Sequence, residues 1–215
     1  MTTPLRPPPR ENPILVMPPP ALPPSARSRA ALGFTAAAAI GRFELQTCET
    51  CGAVQYPPRE ACQRCLGVRL QWCEQNGFGE LISETVLEHS NDVYFRARLP
   101  WRIGLVRLDV GPSVVVHMHG AVPPAPVRVR VDARLDKAGQ AVLIAFPEQG
   151  PASMNDDRQL REMTCDPKFR KVLVTDGTTE AGQALVRALA AAGGEPIWVG
   201  HARSWRHSLG LQGWQ

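Results

Sequence analysis

The sequence predicts a mainly β protein with an N-terminal helix and a short C-terminal βαβ fragment. Four cysteines at metal-binding spacing lie between residues 48 and 65, and five short strand-like runs follow between residues 79 and 146. The sequence pattern changes at residue 171, where an apolar strand, a turn and an Ala/Leu-rich helix are predicted. These observations predict a rubredoxin-like zinc ribbon, then a five-stranded OB-fold barrel, then a partial Rossmann-like unit.

The N-terminal residues divide into a tail and a helix. Residues 1–25 hold ten of the 21 prolines, which remove backbone donors and favour extended geometry, so we expect a Pro-rich tail. Residues 26–47 begin as an Ala-rich, Pro-free stretch that predicts one helix. Ser25 is its expected N-cap and Gly41 lies near its expected end.

The cysteines form two Cys-x2-Cys pairs, Cys48/Cys51 and Cys62/Cys65, separated by ten residues. Four thiolates from two short turns suit a tetrahedral Zn²⁺ that is closed to water and substrate, so we expect a structural rather than a catalytic metal in a ribbon over 48–72. Gly52 and Gly67 are expected to relieve the two tight turns. Two disulfides and an iron centre use the same residues, and spacing alone does not separate them from zinc.

Five β-type runs separated by Gly, Pro, Asn or Asp predict a small barrel over residues 73–147. The fourth run alternates strictly, with Val127, Val129, Val131 and Leu135 on one face and charged residues on the other. An OB fold is the commonest five-stranded closed barrel, and a small open sandwich is the alternative. The runs are 79–89, 101–110, 112–120, 126–135 and 140–146.

The polar residues 148–170 are predicted to be a linker, and residues 171–215 a partial βαβ unit. The run "VLVTDGTTEAGQ" resembles the opening of short-chain dehydrogenases, whose pattern is Thr-Gly-x3-Gly-x-Gly. Thr175 and Gly182 match that pattern and Gly177 is displaced by one residue, so these three are the candidate nucleotide-binding positions. Asp176 and Glu180 replace two glycines that approach pyrophosphate, which argues against NAD(P).

Composition argues against several classes of partner. The net charge of +4 is spread along the chain, and aromatic residues make up only 6%, which argues against stacking on single-stranded nucleic acid. The longest apolar run, residues 30–40, is about half of what a membrane span needs, so we expect no membrane insertion. Cysteines at metal spacing without a cleavable leader favour a reducing, cytoplasmic setting.

One family combines these motifs in the same order. Residues 30–147 carry the Cys-x2-Cys-Gly pair, "YPPR", the second pair, "GFGELISET" at 77–85 and "LPWRIGLVRLDVGPSVVVHMHG". In these features the chain resembles the zinc-ribbon plus OB-fold family known as domain of unknown function 35. Some members are fused to a short-chain dehydrogenase domain, which residues 171–200 resemble.

The resemblance implies an accessory role. Members look like non-catalytic, zinc-containing subunits of thiolase-like or lipid-transfer-protein-type enzymes, condensing or retro-aldol, that act on acyl-CoA in lipid or steroid side-chain metabolism. It implies that Tyr56, Arg59, His89 and Asn91 lie near a shared acyl-CoA site. The alternative for Tyr56, Pro57, Pro58 and Arg59, which we favour, is a rigid loop that packs the ribbon on the barrel. The alternatives are a single-strand nucleic-acid module and an NAD(P)-dependent short-chain oxidoreductase.

Overall fold

The structure, a computed structural model, describes residues 20–25, 28–150, 153–164 and 171–198. Residues 1–19 of the predicted tail and everything after residue 198 lie outside the described residues. Within the described ranges, no helix has the length and apolar character needed to cross a membrane.

The N-terminal helix is shorter than the predicted span 26–47. A 3₁₀ turn at Arg29–Ala31 leads into α1 (Leu32–Ala39), and it is the Oγ of Ser28 rather than Ser25 that accepts a capping bond, from Ala30 N. Gly41, with φ +76°, lies just after the helix end, a conformation that glycine adopts without steric cost. Residues from 44 onwards belong to the first strand of the ribbon instead.

The ribbon is a three-stranded antiparallel sheet. Its strands are β1 (Glu44–Cys48), β2 (Val54–Gln55) and β3 (Leu70–Glu74), in the order β2-β1-β3. Leu45 of β1 is fully buried and Trp72 of β3 packs on the same cluster as Phe34 of α1. Because this cluster also contains the barrel interior, the ribbon, α1 and the barrel share one hydrophobic core.

The predicted five-stranded closed barrel is confirmed. The strands pair in the order β4-β5-β6-β8-β7, and β7 returns to β4 to close the sheet. The β6–β8 pair is parallel and the other pairs are antiparallel. The strands are β4 (Phe78–Leu87), β5 (Trp101–Leu108), β6 (Ser113–Met118), β7 (Val127–Leu135) and β8 (Ala141–Pro147).

The two faces of the barrel wall bury different clusters. The inner face carries residues such as Val106, Val116 and Val129, which agrees with the alternation predicted for β7. On the outer face, Trp101 and Ile144 join a second cluster that two short segments cover. These segments are α2 (Val93–Arg96) and the 3₁₀ turn Met154–Asp156 with α3 (Arg158–Met163).

The predicted linker 148–170 is therefore partly structured. Asp157 caps α3 by accepting from Leu160 N, and Leu160 and Met163, one turn apart, are buried against the barrel. Lys137 N also donates to Met163 O, which ties the segment to the turn after β7. Two apolar side chains on one helical face are enough to fix a short, otherwise polar segment on an existing apolar surface.

The C-terminal unit is a small βαβ fragment, as predicted. Strand β9 (Lys171–Val174) runs parallel to β10 (Glu195–Trp198), and α4 (Glu180–Ala191) connects them. Thr179 is the N-cap of α4 and accepts from Gly182 N.

Candidate metal centre

The two cysteine pairs lie on two tight turns. In each turn, the residue directly after the second cysteine has a left-handed backbone conformation. In the first turn this position is Gly52, with φ +69° directly after Cys51. In the second it is Leu66, with φ +60° directly after Cys65. Gly67, expected to relieve this turn, instead lies against the metal site, where a Cβ would be 3.3 Å from Cys65 Sγ.

The four sulfurs have the spacing that a tetrahedral metal needs. All four Sγ atoms lie within 4.8 Å of one another, and the Cys48–Cys65 and Cys51–Cys62 pairs are each 3.6 Å apart. Zn–S bonds near 2.3 Å place tetrahedral ligands about 3.8 Å apart. Cys48 and Cys62 are buried, whereas Cys65 is exposed. The residues present therefore fit a structural zinc, held by Cys48, Cys51, Cys62 and Cys65.

Backbone amides prepare some of these thiols for ionisation. The Cys51 amide is the main cause that lowers the pKa of Cys48 to about 6, and the Cys65 and Arg64 amides lower the pKa of Cys62. The Gly67 amide favours the Cys65 thiolate, but the sulfurs of Cys51 and Cys48 act in the opposite direction and raise the pKa of Cys65 to about 12. Four thiolates in this space repel one another, so all can ionise together only around a cation.

Two buried glutamines hold the ten residues between the cysteine pairs. Gln46 of β1 accepts from Arg59 N at 2.8 Å and from Gln55 Nε2 at 3.0 Å, and it donates to Arg59 O at 3.0 Å. Gln55 of β2 accepts from Gln63 N at 3.0 Å, next to Cys62. Neither residue is predicted from the sequence, because glutamine side chains are mostly solvent-exposed.

The two candidate contact residues in this loop have different environments. Tyr56 is half-buried, packs on the shared core and makes an edge contact with Phe34 at 6.0 Å between ring centroids. The Arg59 side chain is exposed, while its backbone is held by Gln46. The geometry at Tyr56 thus favours the packing role, and Arg59 is the one of the pair whose side chain faces solvent.

The other two candidate contact residues, His89 and Asn91, lie on the loop between β4 and α2. Both are exposed. The loop is held by Arg96, whose guanidinium donates to Ser90 O at 3.0 Å and to Asn91 O at 2.8 Å. The four candidates thus lie on two different elements, Tyr56 and Arg59 in the ribbon and His89 and Asn91 on the loop after β4.

Of the three candidate nucleotide-binding positions, Gly182 has its backbone amide in a local hydrogen bond. Thr175 is exposed, and Gly177 and Gly182 are buried. The Gly182 amide donates to Thr179 Oγ1 at 3.1 Å, and Asp176 Oδ1 accepts from Thr178 Oγ1 at 2.8 Å. The Gly182 amide, at a position where Rossmann folds bind pyrophosphate, is here directed at the protein's own Thr179 side chain. The Thr178 hydroxyl also lowers the pKa of Asp176, which keeps an anion beside the start of α4.

Comparison with known families follows the same division of the chain. Residues 35–70 match the family model for the ChsH2 rubredoxin-like zinc ribbon domain, and residues 72–140 match that for the ChsH2 C-terminal OB-fold domain. These two matches confirm the resemblance to the DUF35 family over residues 35–140. No curated protein matches this chain.

Two solved structures are similar to this chain. One is an Ltp2-ChsH2(DUF35) aldolase, with a TM-score of 0.50 and 24% identity, in a match covering 58% of this chain and 98% of that one. The other is a DUF35-family protein of unknown function from Sulfolobus solfataricus, with a TM-score of 0.39 and 16% identity, over 55% of this chain and 87% of that one. The first supports the fold of the DUF35 region.

Proposed function

We propose that this DUF35 chain is a non-catalytic, zinc-containing subunit that docks a thiolase-fold enzyme and contributes to its acyl-CoA site. The observation that carries the proposal is the tandem match to the ChsH2 ribbon and barrel over residues 35–140, together with the similarity to a ChsH2(DUF35) chain described with Ltp2 as an aldolase. The substrate class we propose is an acyl-CoA thioester of lipid or steroid side-chain metabolism, and the location is cytoplasmic.

The metal centre supports a structural rather than a catalytic role. Four cysteines fill a tetrahedral coordination sphere, which leaves no position for water or substrate. When bound, zinc supplies crosslinking: it orders the residues between the two cysteine pairs against the barrel. The residues of this chain then present Arg59 and the second cysteine turn on a fixed frame.

The buried histidine His119 is not available for acid–base catalysis. His119 is buried and uses both ring nitrogens for backbone groups, since Nδ1 accepts from Ala121 N at 3.1 Å and Nε2 donates to Ser153 O at 3.0 Å. It therefore has no nitrogen left for a substrate proton. A surface cavity beside Gly41 and Asp132 measures about 100 Å³. Ligand pockets begin at about 300 Å³, so this cavity is too small to hold an acyl-CoA thioester by itself.

The barrel surface is poorly suited to nucleic acid. The aromatic residues Tyr94, Trp101 and Phe146 are buried in the outer cluster, so nucleic-acid bases cannot stack on their rings. Arg128 on the exposed face of β7 is already paired with Asp109 at 2.7 Å and with Glu148 at 3.1 Å. A phosphate would have to displace these carboxylates.

Co-purification tests the proposal. We expect this chain, co-expressed with a thiolase-fold protein from the same organism, to give a stable complex that retains zinc. Cys62→Ser removes a ligand and should abolish the complex, whereas the matched control Cys73→Ser changes a thiol outside the four-cysteine cluster and should not. The proposal fails if the two wild-type proteins never co-purify and the partner is fully active alone.

A further inference from the structure

The second cysteine turn carries an exposed apolar surface, which we call the ribbon tip and define as Arg64, Leu66 and Val68. The side chains of Leu66 and Val68 are 78% and 76% exposed, more than any other large apolar side chain in the described ranges. Both lie within three residues of the metal ligand Cys65. They are therefore displayed by a rigid frame rather than by a long loop.

The backbone of Leu66 shows that this display has a steric cost. Leu66 has a φ of +60°, a conformation that disfavours residues with a Cβ. Glycine occupies the corresponding position of the first turn, at Gly52. Leu66 N donates to Cys62 O at 2.9 Å, and Cys62 N donates to Gly67 O at 2.8 Å, so the turn itself requires this conformation. Glycine would satisfy the turn better, and the leucine side chain gains little burial within this chain.

The charge beside the two apolar side chains indicates what they face. Arg64 is exposed, and its guanidinium has no carboxylate partner among the described residues. Arg69, five residues further on, pairs with Glu49 at 3.7 Å. The complementary surface would be an apolar pocket with a carboxylate at its rim, because an arginine beside buried apolar anchors favours an opposite charge.

We propose that the ribbon tip is the surface by which this chain docks its protein partner. Leu66 and Val68 enter an apolar pocket of the partner, and Arg64 pairs with a carboxylate at the edge of that pocket. The identity of the partner as a thiolase-fold enzyme rests on the function proposed above. The strained leucine is then explained, because its burial occurs only in the complex.

Two truncations test the surface without disturbing the fold. Leu66→Gly removes the side chain and suits the left-handed backbone, and Val68→Ser removes an exposed apolar group. The matched control is Val115→Ser, which changes a valine on β6 that is 61% exposed. Burying a leucine side chain corresponds to roughly ten- to hundredfold in affinity, so we expect Leu66→Gly to weaken binding to the thiolase-fold protein by that factor. Val115→Ser should bind like wild type.

The outcomes separate this inference from the proposed function. If wild type forms no complex, the proposed function fails, and this docking surface fails with it. If wild type binds and both tip variants bind equally well, with zinc content and Tm unchanged, the tip inference alone is overturned. A photo-crosslinking amino acid at position 66 gives a positive readout: we expect an adduct with the partner from position 66 and none from position 115. The reverse pattern would overturn the inference.

Discussion

Gln46→Ala should weaken zinc binding although Gln46 is not a ligand. The substitution removes three hydrogen bonds, two of them to the backbone of Arg59 and one to Gln55. Each part-buried bond contributes about 1 kcal/mol net, so we expect a loss of about 3 kcal/mol in the folding of the loop. Because ribbon folding and metal binding are linked, this loss converts to roughly a hundredfold weaker zinc affinity.

The assay is competition for zinc with a chromophoric chelator at neutral pH. The matched control is Gln71→Ala, which changes an exposed glutamine on the neighbouring strand β3. We expect the control to bind zinc within about twofold of wild type, since exposed substitutions change stability little. If Gln46→Ala binds zinc as tightly as the control, the glutamine contacts do not hold the loop and the reasoning is refuted.

Three further predictions concern packing, pH and metal removal. In Gly33→Ala, the new Cβ would overlap the Trp72 indole, so we expect about 1–3 kcal/mol lower stability in urea denaturation; unchanged stability would show that α1 moves freely. Arg128 lowers the pKa of Asp109, so this pair stabilises the fold above about pH 4 and loses that contribution as the pH falls. In Asp109→Asn, the free energy of unfolding should therefore fall less steeply as the pH is lowered through about 4. An unchanged pH dependence would contradict this assignment. Chelation should raise hydrogen exchange across residues 48–69 and leave the barrel strands protected; uniform exchange would contradict a barrel that is stable without metal.

Local patterns predicted the elements that depend on local physics. The Val/Arg alternation of β7 predicted which side chains enter the barrel, because strand side chains alternate between faces. The two Cys-x2-Cys pairs predicted the sulfur cluster, since short turns direct neighbouring thiols to one point. In β7 the sequence and the strand share a period of two residues. In the ribbon the Cys-x2-Cys spacing matches the length of the turn that brings the two sulfurs together.

Other features depend on contacts between distant parts of the chain. Gln46 is buried only because the loop carrying Arg59 folds over it, and nothing within β1 indicates this. Helix α3 is stable because Leu160 and Met163 reach an apolar patch on the barrel exterior. Leu66 contradicts backbone preference, so a sequence rule places glycine there. Residues that break a local rule in this way are often functional, which supports a docking role for the ribbon tip.

The central claim is that this chain completes a thiolase-fold enzyme without supplying catalytic residues. The most direct measurement is acyl-CoA turnover by the purified partner, titrated with this chain loaded with zinc. We predict little activity without the chain and a rise that saturates at a fixed molar ratio, with no activity from the chain alone. Full activity of the partner by itself, unchanged by added chain, would contradict the claim.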